Sequence, residues 1–93
     1  GGDANEFRKF IAQNVVYPKV AAEQGIQGRV YVQFIITKTG NVSNVKVIRG
    51  VATSLDQAAV DVVKLSDGYW TPGYQRGEAV NVSYTFPIIF ALQ

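Results

Sequence analysis

The chain has 93 residues, with nine Lys and Arg against seven Asp and Glu, and neither histidine nor cysteine. A length near the lower end of the usual range of about 100 to 200 residues allows one domain with a single modest core. Its 47 % apolar and 17 % charged composition excludes disorder throughout. The scattered cations exclude the basic stripe of a nucleic-acid binder, and the longest apolar run, Phe86 to Leu92, is far short of the roughly twenty residues a membrane span needs.

Residues 1–5, opening with Gly1-Gly2, read as a flexible tether or cloning remnant, and residues 6–93 as the domain. No secretory leader is visible, so the anchor of any longer protein is expected upstream. Asp3 and Glu6 have the D-x-x-E spacing of a helix start, and Phe7, Phe10, Ile11 and Asn14 then share one helical face, which predicts a helix over 4–13. Tyr17-Pro18 stops it, because the residue before a proline is pushed out of the α region. Pro18 can occupy the first position of a second helix, 19–24, which ends at Gly25.

From Gly28, Val30, Val32, Phe34 and Ile36 alternate with Arg29, Tyr31, Gln33 and Thr37, the pattern of a strand with one wet face. Thr39-Gly40-Asn41 is a turn, and Val42, Val45, Val47 and Ile48 mark a second strand, giving an antiparallel hairpin that ends near Gly50. Ser54 and Gln57 are spaced as a capping box. Leu55, Ala58, Ala59, Val62 and Leu65 form one stripe, predicting a helix over 55–65. Ser66-Asp67-Gly68 breaks it, Trp70 is assigned to the core, and a turn-rich stretch runs through Gly77.

The last strand is predicted over 78–91. From Ala79 to Gln93 there is no charge, and Val80, Val82, Tyr84, Phe86, Ile88, Phe90 and Leu92 alternate without a break. Pro87 has no N–H for a ladder, so this strand belongs at a sheet edge. A long edge without lysine or glutamate is unprotected against pairing with another chain. Either the chain covers it, or it is kept open for a partner. The order helix, short helix, strand, strand, helix, strand makes an α+β, two-layer domain: a small antiparallel three-stranded sheet covered by helices.

Catalytic chemistry is hard to build from these residues. Without histidine or cysteine the commonest general base and the thiol nucleophile are missing. The serines lack a G-x-S-x-G elbow, Asp56 and Asp61 do not share a helix face, and the glycines form neither a P-loop nor a dinucleotide fingerprint. No enzymatic activity, cofactor or metal is expected.

Tyr17-Pro18-x-x-Ala21-x-x-x-Gly25-Ile26-x-Gly28-x-Val30-x-Val32-x-Phe34, Gly40-x-Val42, Trp70-x-Pro72-Gly73, Gly77-x-x-Val80 and Pro87-Ile88-x-Phe90 together resemble the C-terminal domain of TonB, across residues 7 to 92. The resemblance implies a periplasmic domain of a parent protein anchored in the inner membrane and coupled to ExbB and ExbD. It also implies capture of the TonB box of an outer-membrane transporter by strand addition beside the last strand, so that the proton-motive force drives uptake. The other readings are a TonB-like or TolA-like interaction domain of a sensor or envelope protein, and a module that dimerises through its last strand.

Alternate residues of a strand aim their backbone groups at opposite edges. Because Pro87 cannot serve the inner ladder, Asn81, Ser83 and Thr85, which share its parity, are the expected partner-binding residues, unless a bulge between Ser83 and Pro87 reverses the parity. The Tyr-Pro motif implies a contact from Tyr17, although a helix-stop tyrosine packed on the sheet fits equally well. Asn14 stands where the family often has glutamine. Ser66-Asp67-Gly68-Tyr69 lengthens the usual approach to Trp70.

Overall fold

The computed structural model describes residues 4–92. Of the proposed tether over residues 1–5, residues 1–3 lie outside the described residues, and the capping role of Asp3 with them, while Ala4 and Asn5 belong to the first helix. The elements are α1 (Ala4–Asn14), α2 (Lys19–Glu23), β1 (Gly28–Ile36), β2 (Val42–Arg49), α3 (Thr53–Leu65), β3 (Gly73–Gln75), β4 (Glu78–Val80) and β5 (Val82–Phe90). The main sheet is antiparallel and three-stranded, in the order β2-β1-β5, with the helices over one face.

The alternation of β1 sorts its side chains as expected, with Val30, Val32, Phe34 and Ile36 all buried against the helical layer. Phe86, Ile88 and Phe90 of β5 join them, as do Phe7 and Ile11 of α1 and Leu55, Ala59, Val62 and Val63 of α3. Phe7 is the junction. Its ring lies 4.4 Å from that of Trp70, 5.7 Å from Phe34 and 4.9 Å edge-on from Phe86, within the range where aromatic pairs attract beyond simple area burial. It ties α1 to both β1 and β5.

Trp70 is 4 % exposed. Its indole N–H donates to the Ser66 hydroxyl at 3.0 Å, and that hydroxyl donates to the Val63 carbonyl. The buried Ser66 thus continues the end of α3 into the core, and every buried polar side-chain atom described has a partner. Gly40, at φ +82°, brings the β1–β2 turn against this corner, where a Cβ would come within 2.4 Å of the Trp70 carbonyl oxygen. That position requires glycine.

The termini of the elements depart from expectation. Pro18 is the N-cap of α2, with φ −60° and ψ 131°, so it precedes the helix and does not occupy its first turn. The helix α3 starts at Thr53 after an Ala52 cap that makes no side-chain bond. Asp56 serves the helix entrance, accepting from the Val51 N–H at 2.9 Å, while Gln57 donates to Asp61, so the Ser54–Gln57 capping box does not form. Leu65 is 63 % exposed and Val63 is buried instead, because the buried face continues from Ala59 through Val62 and Val63 to Ser66 at helical spacing, which leaves Leu65 off it.

The largest correction concerns the predicted 78–91 strand. It is two strands, β4 and β5, parted at Asn81. β4 folds back on β3 as a separate hairpin, with Arg76 and Gly77 both at positive φ in the two-residue turn, the geometry that suits a tight hairpin. Asn81 marks the break: its side-chain oxygen accepts from the Lys38 N–H at 2.9 Å.

Candidate functional site

β5 pairs with β1 alone, so its other side is the edge of the sheet. The register runs without interruption from Gly28 opposite Phe90 to Ile36 opposite Val82, with Tyr31 opposite Pro87. In antiparallel pairing, residues alternate between pairs that exchange both hydrogen bonds and pairs that point both groups away. Pro87 can belong only to the second kind, and no bulge intervenes, so Ser83, Thr85 and Ile89 share its outward parity. Three bonds at the ends of the sheet agree. The Leu92 N–H turns toward β1 and donates to Gln27, the Lys38 N–H turns toward β5, and the Thr37 N–H turns toward the β2 side.

Beside this edge is a groove of about 280 Å³, lined by Arg8, Ile11, Ala12 and Val15 of α1 and its continuation and by Phe86, Pro87 and Ile89 of β5. The Arg8 guanidinium sits 5.5 Å from the centre of the Phe86 ring, near enough for cation–π attraction. Ile89 is 58 % exposed on its rim. Sequence reasoning missed the α1 side of this groove. The Arg8, Ala12 and Ile11, Val15 pairs at i, i+4 were the available signal, but they merge with the Phe7 and Ile11 stripe that builds the core.

The residues singled out from the sequence do not all meet here. Ser83 and Thr85 are exposed on β5. Asn81 is outside the strand, with its side chain committed to Lys38. Tyr17 lies at the far end of β5, its ring edge-on to Phe90 at 5.5 Å and its hydroxyl donating to the Ile26 carbonyl. From Ser83 to Phe90 is about 23 Å of strand. Asn14 donates to the Phe10 carbonyl at 2.8 Å and opens on a different groove, of about 380 Å³, shared with Val16, Pro18 and the α3 residues Ser54, Gln57 and Asp61.

Electrostatics at the opposite corner is simpler. Asp67 accepts from the Val42 N–H at 2.8 Å and from the Asn41 amide at 3.2 Å, and these bonds, the backbone one first, hold its carboxyl below its ordinary pKa. Asp67 therefore fixes the start of β2. Among the described residues there is no group of three His, Cys, Asp or Glu placed to hold a metal.

The fold is a small α+β domain whose three-stranded sheet leaves β5 unpaired on its outer side, with an apolar groove along that edge. The family model described as Gram-negative bacterial TonB protein C-terminal matches residues 13–92, and the chain belongs to this family. It is 37 % identical over 68 residues to Protein TonB of Helicobacter pylori in two strains, a stretch covering 68 % of this chain. The chain spans about a quarter of those relatives, 24 % of their length. It is also similar to an NMR solution structure of the Helicobacter pylori TonB-CTD, with TM-score 0.77 and 29 % identity, covering 99 % of this chain and 86 % of that one. A second solution structure of that domain gives TM-score 0.71 and 26 % identity, covering 98 % and 96 %.

Proposed function

We propose that this domain captures the TonB box of an outer-membrane transporter by adding it as a strand beside β5, in a periplasmic domain whose parent protein is anchored in the inner membrane and works with ExbB and ExbD. The observation that carries the reading is the unpartnered β5 edge, with its unbroken register to β1. Ser83 and Thr85 offer both backbone groups to a guest. Asn81, just before the strand, and Tyr17, at its far end, bracket the track; a contact to Asn14 requires the guest to leave the edge and cross the corner between α1 and α2. The domain supplies binding, and its family gives no reason to add catalysis.

About four to six guest ladder bonds at roughly 0.5 to 1.5 kcal/mol each amount to a few kcal/mol, against an association cost of at least about 4 kcal/mol. Side chains entering the groove beside Ile11 and Ile89 supply the surplus, so an isolated box peptide binds at about micromolar Kd or weaker. A chemical-shift titration with a synthetic box peptide tests this. Shifts concentrated at Ser83, Thr85 and Ile89 support the proposal, whereas nanomolar affinity or an unperturbed β5 overturns it. Concentration-dependent light scattering, with the same amides protected in a dimer, would instead favour self-pairing through β5.

A further inference from the structure

The main sheet has a second free surface, its outer face, and the charge on it is of one sign. The span from Gln24 to Leu55 holds Arg29, Lys38, Lys46 and Arg49 with no Asp or Glu, and β5 holds no charge. All seven acidic residues lie elsewhere. Strand registers place Arg49 opposite Tyr31 opposite Pro87, and Lys46 opposite Gln33 opposite Thr85, with Arg29 opposite Ile89. Residues opposite one another share a face, so Arg29, Arg49 and Lys46 stand on the side of the sheet away from the helices.

The two arginines line an open cleft of about 440 Å³ together with the half-buried Tyr31, Gly50 and Val51. Arg29 and Arg49 are diagonal neighbours, about 7 to 8 Å apart at the backbone. No carboxylate among the described residues pairs with either of them or with Lys46; the ion pairs Lys9–Glu6 and Lys19–Glu23 are on the helices. Asp56, near Gly50, spends its Oδ1 on the Val51 N–H. Two guanidinium forks beside one tyrosine, with no side-chain carboxylate among the described residues paired to either, match a carboxylate ligand.

We propose that the outer face of the sheet docks an acidic, extended segment of a partner protein, with one carboxylate between Arg29 and Arg49 and another on Lys46. Gln33, Ser43, Ser83 and Thr85 offer polar side chains along the same track. These polar residues interrupt Ile35, Pro87 and Ile89 on the same face and leave no continuous apolar surface to enter a bilayer, and so few cations disfavour a nucleic acid. The site uses the side chains of the face and leaves the backbone edge of β5 free, so it does not depend on box capture.

The probe is a fluorescein-labelled peptide of alternating Glu and Ser, followed by anisotropy at an ionic strength of about 0.01 M, where charges act over about 30 Å. The paired change Arg29→Gln and Arg49→Gln is expected to weaken binding about fivefold, from two surface ion pairs. The paired change Lys9→Gln and Lys19→Gln removes the same net charge from the helices and is expected to leave affinity within about twofold. Amide shifts should map to Arg29, Tyr31, Lys46 and Arg49. Equal losses in both paired variants, or shifts confined to the helices, would reduce the effect to net charge and overturn the proposal. So would binding to phosphatidylglycerol vesicles that depends on Arg29 and Arg49 while the peptide does not bind.

Discussion

Thr85→Pro separates the two sides of β5. Thr85 lies opposite Gln33 and two residues before Pro87, and so has the parity whose N–H points away from β1. A proline there removes a donor from the free edge and none from the β1 ladder, as Pro87 already does. A guest lying across Ser83 and Thr85 makes about four ladder bonds there, and losing one costs about 1 kcal/mol, or roughly fivefold in Kd. Stability should barely respond. Because 1 kcal/mol moves the Tm of a domain of this size by roughly 4 to 8 °C, the variant should melt within about 4 °C of the parent.

Calorimetric titration of a box peptide and a thermal melt are the two measurements, and amide exchange supplies an independent check. In the free domain the Tyr84, Phe86 and Ile88 amides should be protected, and those of Ser83 and Thr85 should exchange freely until peptide is added. A protected Thr85 amide in the free protein, or a Thr85→Pro variant that loses stability while binding peptide unchanged, would refute the parity assignment.

Gly40→Ala places a Cβ against the Trp70 carbonyl and forces an L side chain to φ +82°, so it should cost about 2 to 4 kcal/mol in denaturant unfolding. Ser66→Ala leaves the Trp70 indole N–H buried without its acceptor, an expected loss of about 1 to 3 kcal/mol. The native Asp67 carboxyl is lowered by Val42 and Asn41, so its stabilisation is complete above the ordinary carboxylate pKa of about 3.9 and is lost as pH falls through the lower folded value. Asp67→Asn should therefore reduce stability at neutral pH and flatten the acid limb of a pH–stability curve.

Periodicity revealed whatever is decided within one element. The β1 alternation, the Phe7 and Ile11 face of α1 and the Leu55 to Val62 stripe of α3 all reached the core, because each needs only one face to bury. The break at Asn81 was not legible. The apolar alternation passes straight through it, and the interruption is made by partners distant in sequence, Lys38 and the Gly73–Gln75 strand. Likewise, Ser54 and Gln57 satisfied a capping pattern, but Asp56 reached the Val51 N–H. At the site, the proline parity of β5 was readable because it is a property of the backbone. The groove was not, because its α1 wall continues a core stripe and becomes a surface only when that helix overhangs β5.

The two halves of the β5 edge are guarded differently, and this bears on how a guest could enter. Past Phe86 the edge lies beside α1, Pro87 withholds a donor, and Ile11, Val15 and Ile89 make an apolar channel. Before Phe86 the strand offers Ser83 and Thr85 with exposed polar side chains and both backbone groups. A second copy of β5 pairing antiparallel across the earlier half would carry its own Pro87 and α1 toward the same edge, where the missing donor shortens the ladder. A separate peptide has no such helix to accommodate. It can pair along the earlier half and direct its side chains into the channel beyond, so the same proline that weakens a homodimer leaves heterologous strand addition intact.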